Sequence, residues 1–391
     1  MIVQPKVRGF ICTTAHPKGL LKAVDEDIAF VKEKGKIDAG KNVLVIGASM
    51  GYGLSARIAA AFGGGASTLG VIFDRPAAGI RTASAGWYNT AAFHQRAHEA
   101  GLYAKTVNGD AFSEEVKDKV VEILKRDNMT LDCVVYSVAA PRRTLKDGTQ
   151  VSSVLKTTDK PYTEKTIDLR TREITTATIE PATDTEVENT IKVMGGEDWQ
   201  EWILRLKKEG LLKSDAVTVA FSYIGPSLTH AIYKDGSIGQ AKKDLNAKAE
   251  AMRRLGLRAF VSVNKALVTQ SSSAIPVVPL YISLLYKVMK RRNTHETTIG
   301  QMQRLFGSKR LLKGAVTDEN EFIRLDDLEM DEPTQTEIAK LWKQVGETPL
   351  EEIADLKGYD DEFLRLFGFG LDGVDYGEDV PTEIGIDGLE S

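Results

Sequence analysis

NVLVIGASMGYGLSARIAAAF, residues 42–62, decides the fold. Its first part, Asn42 to Ile46, is a short β-branched apolar run that stops at a glycine, as a buried strand does. Its last part, Leu54 to Phe62, has the composition of a helix. Between them lies Gly47-Ala48-Ser49-Met50-Gly51-Tyr52-Gly53, spaced G-x-x-x-G-x-G. Strand, glycine turn and helix together form an anion cradle. A helix start presents free N–H groups and partial positive charge, and glycine lets the backbone approach a pyrophosphate closely.

Downstream, the pattern repeats. Leu69 to Phe73 reads as a second strand ending at Asp74, and Ala91 to Ala100 as a helix. Tyr103 to Val107 is a third strand, Glu114 to Arg126 a helix and Leu131 to Tyr136 a fourth strand. Regular alternation with near-continuous apolar strands predicts an α/β fold, a Rossmann-like doubly wound parallel sheet covered on both faces. The glycine spacing is similar to the short-chain-dehydrogenase variant of that fold. Residues 141–185 are polar, with alternating segments such as Glu173 to Ile179, and predict an inserted hairpin region. Glu186 to Lys208 is helical with a break at Gly195-Gly196. Alternation resumes with the strand Ala216 to Phe221, a helix from about Ile238 to Leu255 and the strand Ala259 to Val263. Helices follow at about Ile275 to Arg292 and Thr297 to Leu305, and the last stretch holds one clear helix, Thr334 to Val345. The expected organisation is an N-terminal extension over 1–40, a dinucleotide-binding domain over 41–310 with a substrate-region insertion at 141–210, and a C-terminal segment, 311–391, packed on the same domain.

Composition narrows the function classes. A net charge of −4 argues against a general nucleic-acid binder. The two cysteines, Cys12 and Cys133, lie far apart without metal spacing, so neither a metal site nor a disulfide framework is expected, and a reducing cytoplasm fits. The N-terminus MIVQPKVRGF has no apolar core of a signal peptide. The longest apolar stretch, around Ala274 to Met289, is broken by Pro276, Pro279, Ser283 and Lys287 and is too short to span a bilayer.

Asp74 ends the second strand about 20 residues past the glycines, where an acidic side chain binds the adenosine ribose 2′-OH and repels a 2′-phosphate. That favours NADH over NADPH, although Arg75 beside it could pair with such a phosphate. A strand-end aspartate in a turn is the other reading. Asp110 and the pair Val138-Ala139 follow the third and fourth strands, at the edge of the same crevice.

Two further patterns compete for the chemistry. Gly47, Ser49 and Gly51 also spell G-x-S-x-G, the nucleophile elbow of α/β-hydrolases, so a serine hydrolase is an alternative. Against it, the elbow ends the first strand, and the last histidine, His295, follows no strand. A non-enzymatic NADH-binding sensor is another. The second pattern is FSYIGPSLTHAIYKDGSIGQAK, residues 221–242. A tyrosine and a lysine just past a buried strand can polarise a carbonyl and hold a nicotinamide ribose. Tyr233 and Lys242 are nine positions apart; on one helix they would lie on opposite faces, about 13 Å apart along the axis. Asp235, Gly236 and Ser237 interrupt the pattern, and Ser237 is expected as an N-cap, with Tyr233 on the loop before the helix and Lys242 in its second turn. The alternative is a buried tyrosine and a surface lysine that never meet. Lys287, Lys290, Arg291 and Arg292 form a basic cluster that could meet coenzyme A phosphates or an acidic carrier protein, or simply complement a helix C-terminus.

Several segments together resemble one family. VRGFICTTAHPKG, the loop IGASMGYGLSARIAAAFGGGAST, GWYN, NGDAFS, VYSVAAPRRT, VMGGEDWQEW, SYIGP, FVSVNKALVTQSSSAIPVVPLY and LFGFGLDGVDY are similar to the NADH-dependent trans-2-enoyl reductases of the FabV/TER type, which act on enoyl-CoA or enoyl-acyl carrier protein. The resemblance covers essentially the whole chain, and the family's Tyr-x8-Lys signature matches Tyr233 and Lys242. It implies Tyr233 as proton donor, Lys242 on the nicotinamide ribose and Tyr223 on the substrate. It implies an NADH site lined by Gly47, Ala48, Ser49, Met50, Gly51, Tyr52, Phe73, Asp74, Asp110, Ala111, Val138, Ala139, Lys242, Leu267, Val268 and Thr269. The family usually carries glutamate at the position of Asp74. A flavin label is sometimes attached to its C-terminal segment, but no flavin motif is present here. A monomer or weak homodimer, free of membrane and nucleic acid, is expected.

Overall fold

The computed structural model describes residues 1–9 and 11–390. Among these, eight parallel strands form one sheet: β1 (Asn42–Ile46), β2 (Ser67–Ile72), β3 (Ala104–Asn108), β4 (Leu131–Tyr136), β5 (Leu212–Ser222), β6 (Arg258–Val263), β7 (Phe322–Arg324) and β8 (Leu389–Glu390). Their spatial order is β7-β6-β5-β4-β1-β2-β3-β8. The winding direction reverses between β1 and β4, which opens a crevice at their carboxyl ends. This is the doubly wound, Rossmann-like sheet expected from the alternation.

The principal helices are α1 (Pro17–Lys34), α2 (Gly51–Ile58), α3 (Ala85–Glu99), α4 (Glu114–Arg126), α5 (Asp184–Met194), α6 (Glu197–Lys208), α7 (Ser237–Arg254), α8 (Val278–Arg291), α9 (Thr298–Phe306), α10 (Glu332–Gln344) and α11 (Leu356–Arg365). Strand side chains alternate between two cores. Leu44, Ile46 and Val134 meet α4, α6 and α7 on one face. Val43, Val45, Val135 and Val219 share the other with α1, α2, α3, α8 and α9. Cys133 is a buried free thiol in the second core.

The 141–185 region forms two antiparallel hairpins, Arg142–Thr144 with Gln150–Ser152 and Tyr162–Ile167 with Ile174–Ile179. The second hairpin is tied to the end of α10, where Lys165 Nζ donates to Val345 O at 2.8 Å. The helical break at Gly195-Gly196 is present, and the Asp244 carboxylate of α7 holds it by accepting from Gly196 N at 2.8 Å. Trp199 and Trp202, both fully buried, seat α6 on the sheet through Nε1 bonds to Thr218 Oγ1 (2.8 Å) and Ala111 O (3.1 Å).

Sequence periodicity misses the ends. α3 starts at Ala85 rather than Ala91, because its first turns are buried and lack an amphipathic stripe. The last stretch holds α11 and a turn of helix at Leu350–Ile353 besides α10. Its final strand, β8, pairs with β3 and is too short for any periodic signal. The tail before β8 crosses α3, where Trp87 Nε1 donates to Ile384 O and the Tyr88 hydroxyl to Thr382 O, both at 2.7 Å. Among the described residues no helix is long and apolar enough to cross a membrane.

Candidate active site

The loop after β1 is held by two close approaches. Gly47 has φ +84°, and a Cβ there would lie 2.2 Å from Ser137 O; a Cβ on Gly53 would lie 1.9 Å from Gly47 O. Both positions therefore require glycine. The amides of Gly47 and Ala48 donate to Val71 O at 2.9 Å, which ties the loop to β2. α2 begins after Met50 with no side-chain cap, so its first amides have no side-chain acceptor among the described residues. An uncapped helix start beside a backbone-only turn fits a pyrophosphate.

Asp74 lies just past β2. Its Oδ1 accepts from Ser84 Oγ at 2.8 Å, while Oδ2 is buried without a hydrogen-bond partner. Ser84 is the N-cap of α3, so the carboxylate sits at a helix N-terminus that favours its charge. An unpartnered buried carboxylate oxygen fits a ribose hydroxyl donor. Phe73 beside it is 78% exposed and so contributes little to either core. Asp110 Oδ1 accepts from Phe112 N at 3.0 Å, which shapes the turn after β3, and Ala111 O is held by Trp202.

Val138 and Ala139 line a cleft of about 140 Å³ together with Tyr52, Phe221, Lys242 and, from the inserted region, Met194 and Gly195. Tyr52 donates from its hydroxyl to Lys265 O at 2.7 Å and accepts from Gln301 Nε2 at 2.9 Å, bracing the glycine loop against the segment after β6. In that segment Val268 N donates to the Tyr286 hydroxyl (3.1 Å), and Thr269 caps a short helix, Gln270–Ser273. Leu267 and Val268 are buried.

The tyrosine–lysine pair departs from the expected local geometry. Tyr233 ends a single helical turn, His230–Tyr233, rather than lying on a loop. The N-cap of α7 is Gly236, not Ser237. The Ser237 hydroxyl instead reaches across to the insertion, donating to Val154 O (2.6 Å) and accepting from Lys156 N (3.1 Å). The break between the two helices still removes the single-helix geometry that would keep the pair apart. Lys242 Nζ donates to Phe221 O at the end of β5 (3.3 Å), and Tyr223, two residues on, packs edge-on against Tyr233 with ring centres 4.7 Å apart. Burial lowers the Lys242 ammonium to about 8 and pushes the Tyr233 phenol well above its ordinary value. Among the described residues no group hydrogen-bonds to the Tyr233 hydroxyl. The Tyr223 hydroxyl, by contrast, donates to Glu329 Oε1 at 3.1 Å.

Glu329 is the residue that sequence reasoning missed. It lies in the C-terminal segment, is fully buried, and also accepts from the Tyr281 hydroxyl (2.7 Å) and Ala266 N (2.7 Å). Its only sequence signal is an acidic residue in an otherwise ordinary acidic run. Buried Lys265, which burial lowers to about 8, has no hydrogen-bonded anion and donates to Ala266 O at 2.9 Å. The basic cluster on α8 finds partners within the chain. Lys290 pairs with Asp355, Arg291 with Glu337 and Arg292 with Asp331, and Lys287 donates to Glu351 O. Three of the four charges are thus paired within the chain near the end of α8, where basic residues also complement a helix C-terminus. For Ser49, none of the histidine hydrogen bonds among the described residues reaches it, so the hydrolase elbow has no base.

A doubly wound sheet with an uncapped glycine loop, an acidic residue after β2 and a tyrosine–lysine pair after β5 defines a dinucleotide-dependent oxidoreductase. Residues 81–311 match the family described as the trans-2-enoyl-CoA reductase catalytic region, and residues 2–79 match its NAD(P)H binding domain. The chain belongs to the trans-2-enoyl-CoA reductase family. It is 50% identical to the NADH trans-2-enoyl-CoA reductase of Ruminiclostridium cellulolyticum over 394 residues, covering 100% of both chains. It is 53% identical to the NADH enoyl-[acyl-carrier-protein] reductase of Opitutus terrae, covering 98% of this chain and 99% of that one. The crystal structure of Treponema denticola trans-2-enoyl-CoA reductase in complex with NAD superposes with a TM-score of 0.94 at 45% identity, covering 100% of both chains. Residues 317–380 match a segment described as the enoyl reductase FAD binding domain. Here that segment consists of β7, α10, α11 and connecting turns, with no strand–glycine turn–helix cradle among its described residues. No flavin enters the chemistry below.

Proposed function

We propose that this chain reduces the C2–C3 double bond of trans-2-enoyl thioesters, carried on coenzyme A or acyl carrier protein, with NADH, as a step of fatty acid synthesis. The observation that carries the reading is the Tyr233 hydroxyl, without a protein partner and packed on Tyr223 beside the strand end that holds Lys242. The uncapped start of α2 and the unpartnered Asp74 oxygen suit the pyrophosphate and adenosine ribose. In this organisation residues 41–310 bind NADH and substrate, the 141–210 insertion walls the cleft through Met194 and Gly195, and the C-terminal segment packs on the same domain, with Glu329 bonded to Tyr223.

Bound NADH supplies the hydride that adds to C3 of the thioester. Negative charge then develops on the thioester oxygen, and a hydrogen bond from Tyr233 stabilises it by about 3–4 kcal/mol. Burial keeps Tyr233 a neutral phenol, so it has a proton to deliver to C2. Lys242 orients the nicotinamide ribose and, as a cation, favours the tyrosinate left behind. Phe73, Asp110, Ala111, Val138, Ala139 and Leu267 to Thr269 would hold the cofactor.

One rate comparison tests the function. NADH and NADPH are each supplied with crotonyl-CoA, a longer enoyl-CoA and an enoyl-acyl carrier protein. NADH oxidation with at least one thioester is expected, at a rate above that with NADPH. No thioester-dependent NADH consumption would remove the reading.

A pH profile tests Lys242. Its folded-state value of about 8 lies below the ordinary lysine value, so the ammonium is present below pH 8 and lost above it. The kcat/KM for NADH should therefore fall as pH rises through about 8. Lys265 titrates in the same range, so Lys242→Arg identifies the group. The limb should vanish in that variant, and a limb that stays would clear Lys242.

A further inference from the structure

We infer that Glu329 is a positioning residue: it takes the only hydroxyl hydrogen of Tyr223 and leaves Tyr233 as the one phenol of this pair free to donate to the substrate. The inference rests on the reductase reading above. Glu329 Oε1 accepts from the Tyr223 hydroxyl at 3.1 Å and the Tyr281 hydroxyl at 2.7 Å, and Oε2 accepts from Ala266 N at 2.7 Å. An amide can only donate. The Tyr281 oxygen already accepts from Gln335 Nε2 at 3.1 Å, so its own hydrogen is directed to Glu329. Three donors thus converge on its two oxygens, and none of them needs a proton from it.

A phenol has one hydrogen. With that hydrogen on Glu329, Tyr223 meets a substrate through its oxygen lone pair or its ring and not as a second donor. This bond joins Tyr223 to a fully buried side chain. It fixes the Tyr223 ring, and that ring stands edge-on to Tyr233 at 4.7 Å and 88°. The Ala266 amide on the other carboxylate oxygen fixes the backbone immediately before Leu267. Glu329 thus sets Tyr223 and the segment after β6 from one buried point.

The experiment measures kcat and KM for crotonyl-CoA, NADH affinity and Tm in Tyr223→Phe, Tyr281→Phe, Glu329→Gln and the double variant Tyr223→Phe/Glu329→Gln. In Glu329→Gln the amide oxygen must face Ala266 N–H, so its NH2 group faces both tyrosines and releases the Tyr223 hydrogen. Glu329→Gln is expected to lower kcat/KM for crotonyl-CoA by about tenfold or more, with NADH affinity preserved. In the Tyr223→Phe background the same change should add little. Tyr281→Phe removes an equivalent bond from the same oxygen, so it should lower Tm while leaving crotonyl-CoA kinetics near wild type. Equal kinetic losses in Tyr281→Phe and Glu329→Gln that track Tm would make Glu329 merely structural and overturn the inference, as would additive losses in the double variant. If Glu329→Gln does not fold, the contrast between Tyr223→Phe and Tyr281→Phe decides, since only the former should alter crotonyl-CoA kinetics. A wild-type protein inactive on every enoyl thioester would instead overturn the reductase reading, and this inference with it.

Discussion

Tyr233→Phe is expected to lower kcat with crotonyl-CoA by about 10²–10³-fold, the loss that follows removal of one oxyanion donor. NADH affinity should stay close to wild type. The two outcomes separate because the substitution deletes only an oxygen atom. That oxygen has no hydrogen-bonding partner among the described residues, so the fold loses no internal bond with it. The ring that remains still packs on Tyr223. Lys242 keeps its tie to Phe221 O, and the glycine loop and Asp74 are on other strands. Steady-state kinetics with fluorescence titration of NADH makes the check. Near-normal turnover would move the donor role away from Tyr233, and the Tyr223 hydroxyl, already directed to Glu329, is poorly placed to assume it.

The second large effect belongs to Gly47→Ala. A methyl at this position would lie 2.2 Å from Ser137 O, and the residue must hold φ +84°. Strain of a non-glycine residue at positive φ and overpacking of the backbone together cost roughly 2–5 kcal/mol. The loop has little room to retreat, since the Gly47 and Ala48 amides are bound to Val71 O on one side and Gly53 is pressed on Gly47 O from the other. The expected result is a lowered Tm together with loss of the Tm rise that NADH gives the wild-type protein. Thermal unfolding with and without NADH checks both. A full NADH shift in Gly47→Ala would mean that the cradle tolerates displacement and does not hold the pyrophosphate.

Much of this site was legible because its parts are local. A pyrophosphate cradle needs a strand, a glycine turn and a helix start in immediate succession, and residues 42–62 contain all three. Asp74, Asp110 and Val138-Ala139 are candidates reached by counting to the ends of apolar strands, which in a parallel sheet all open on one edge. The local conformation around Tyr233 was less legible. Ser237 has the chemistry of an N-cap, yet Gly236 occupies that position, because Val154 O and Lys156 N, distant in sequence, engage the serine hydroxyl. The ion pairs of the basic cluster on α8 were illegible for a similar reason. Its carboxylate partners, Asp331, Glu337 and Asp355, lie on segments that no local rule brings to it.

The parallel sheet, a candidate glycine cradle with Asp74 beside it, and the tyrosine and lysine that follow β5 can all be read from the residues alone. Short-range periodicity and turn chemistry act within a few residues, and those features are built within a few residues. Only the tertiary structure decided which phenol is free. Tyr223 and Tyr233 look alike in the sequence, and what distinguishes them is Glu329, brought from the C-terminal segment to accept the hydrogen of one and not the other. A buried carboxylate takes its partners from whatever surrounds it after folding, so its role is written in the packing of β7, α8 and α10 rather than in any stretch of the chain.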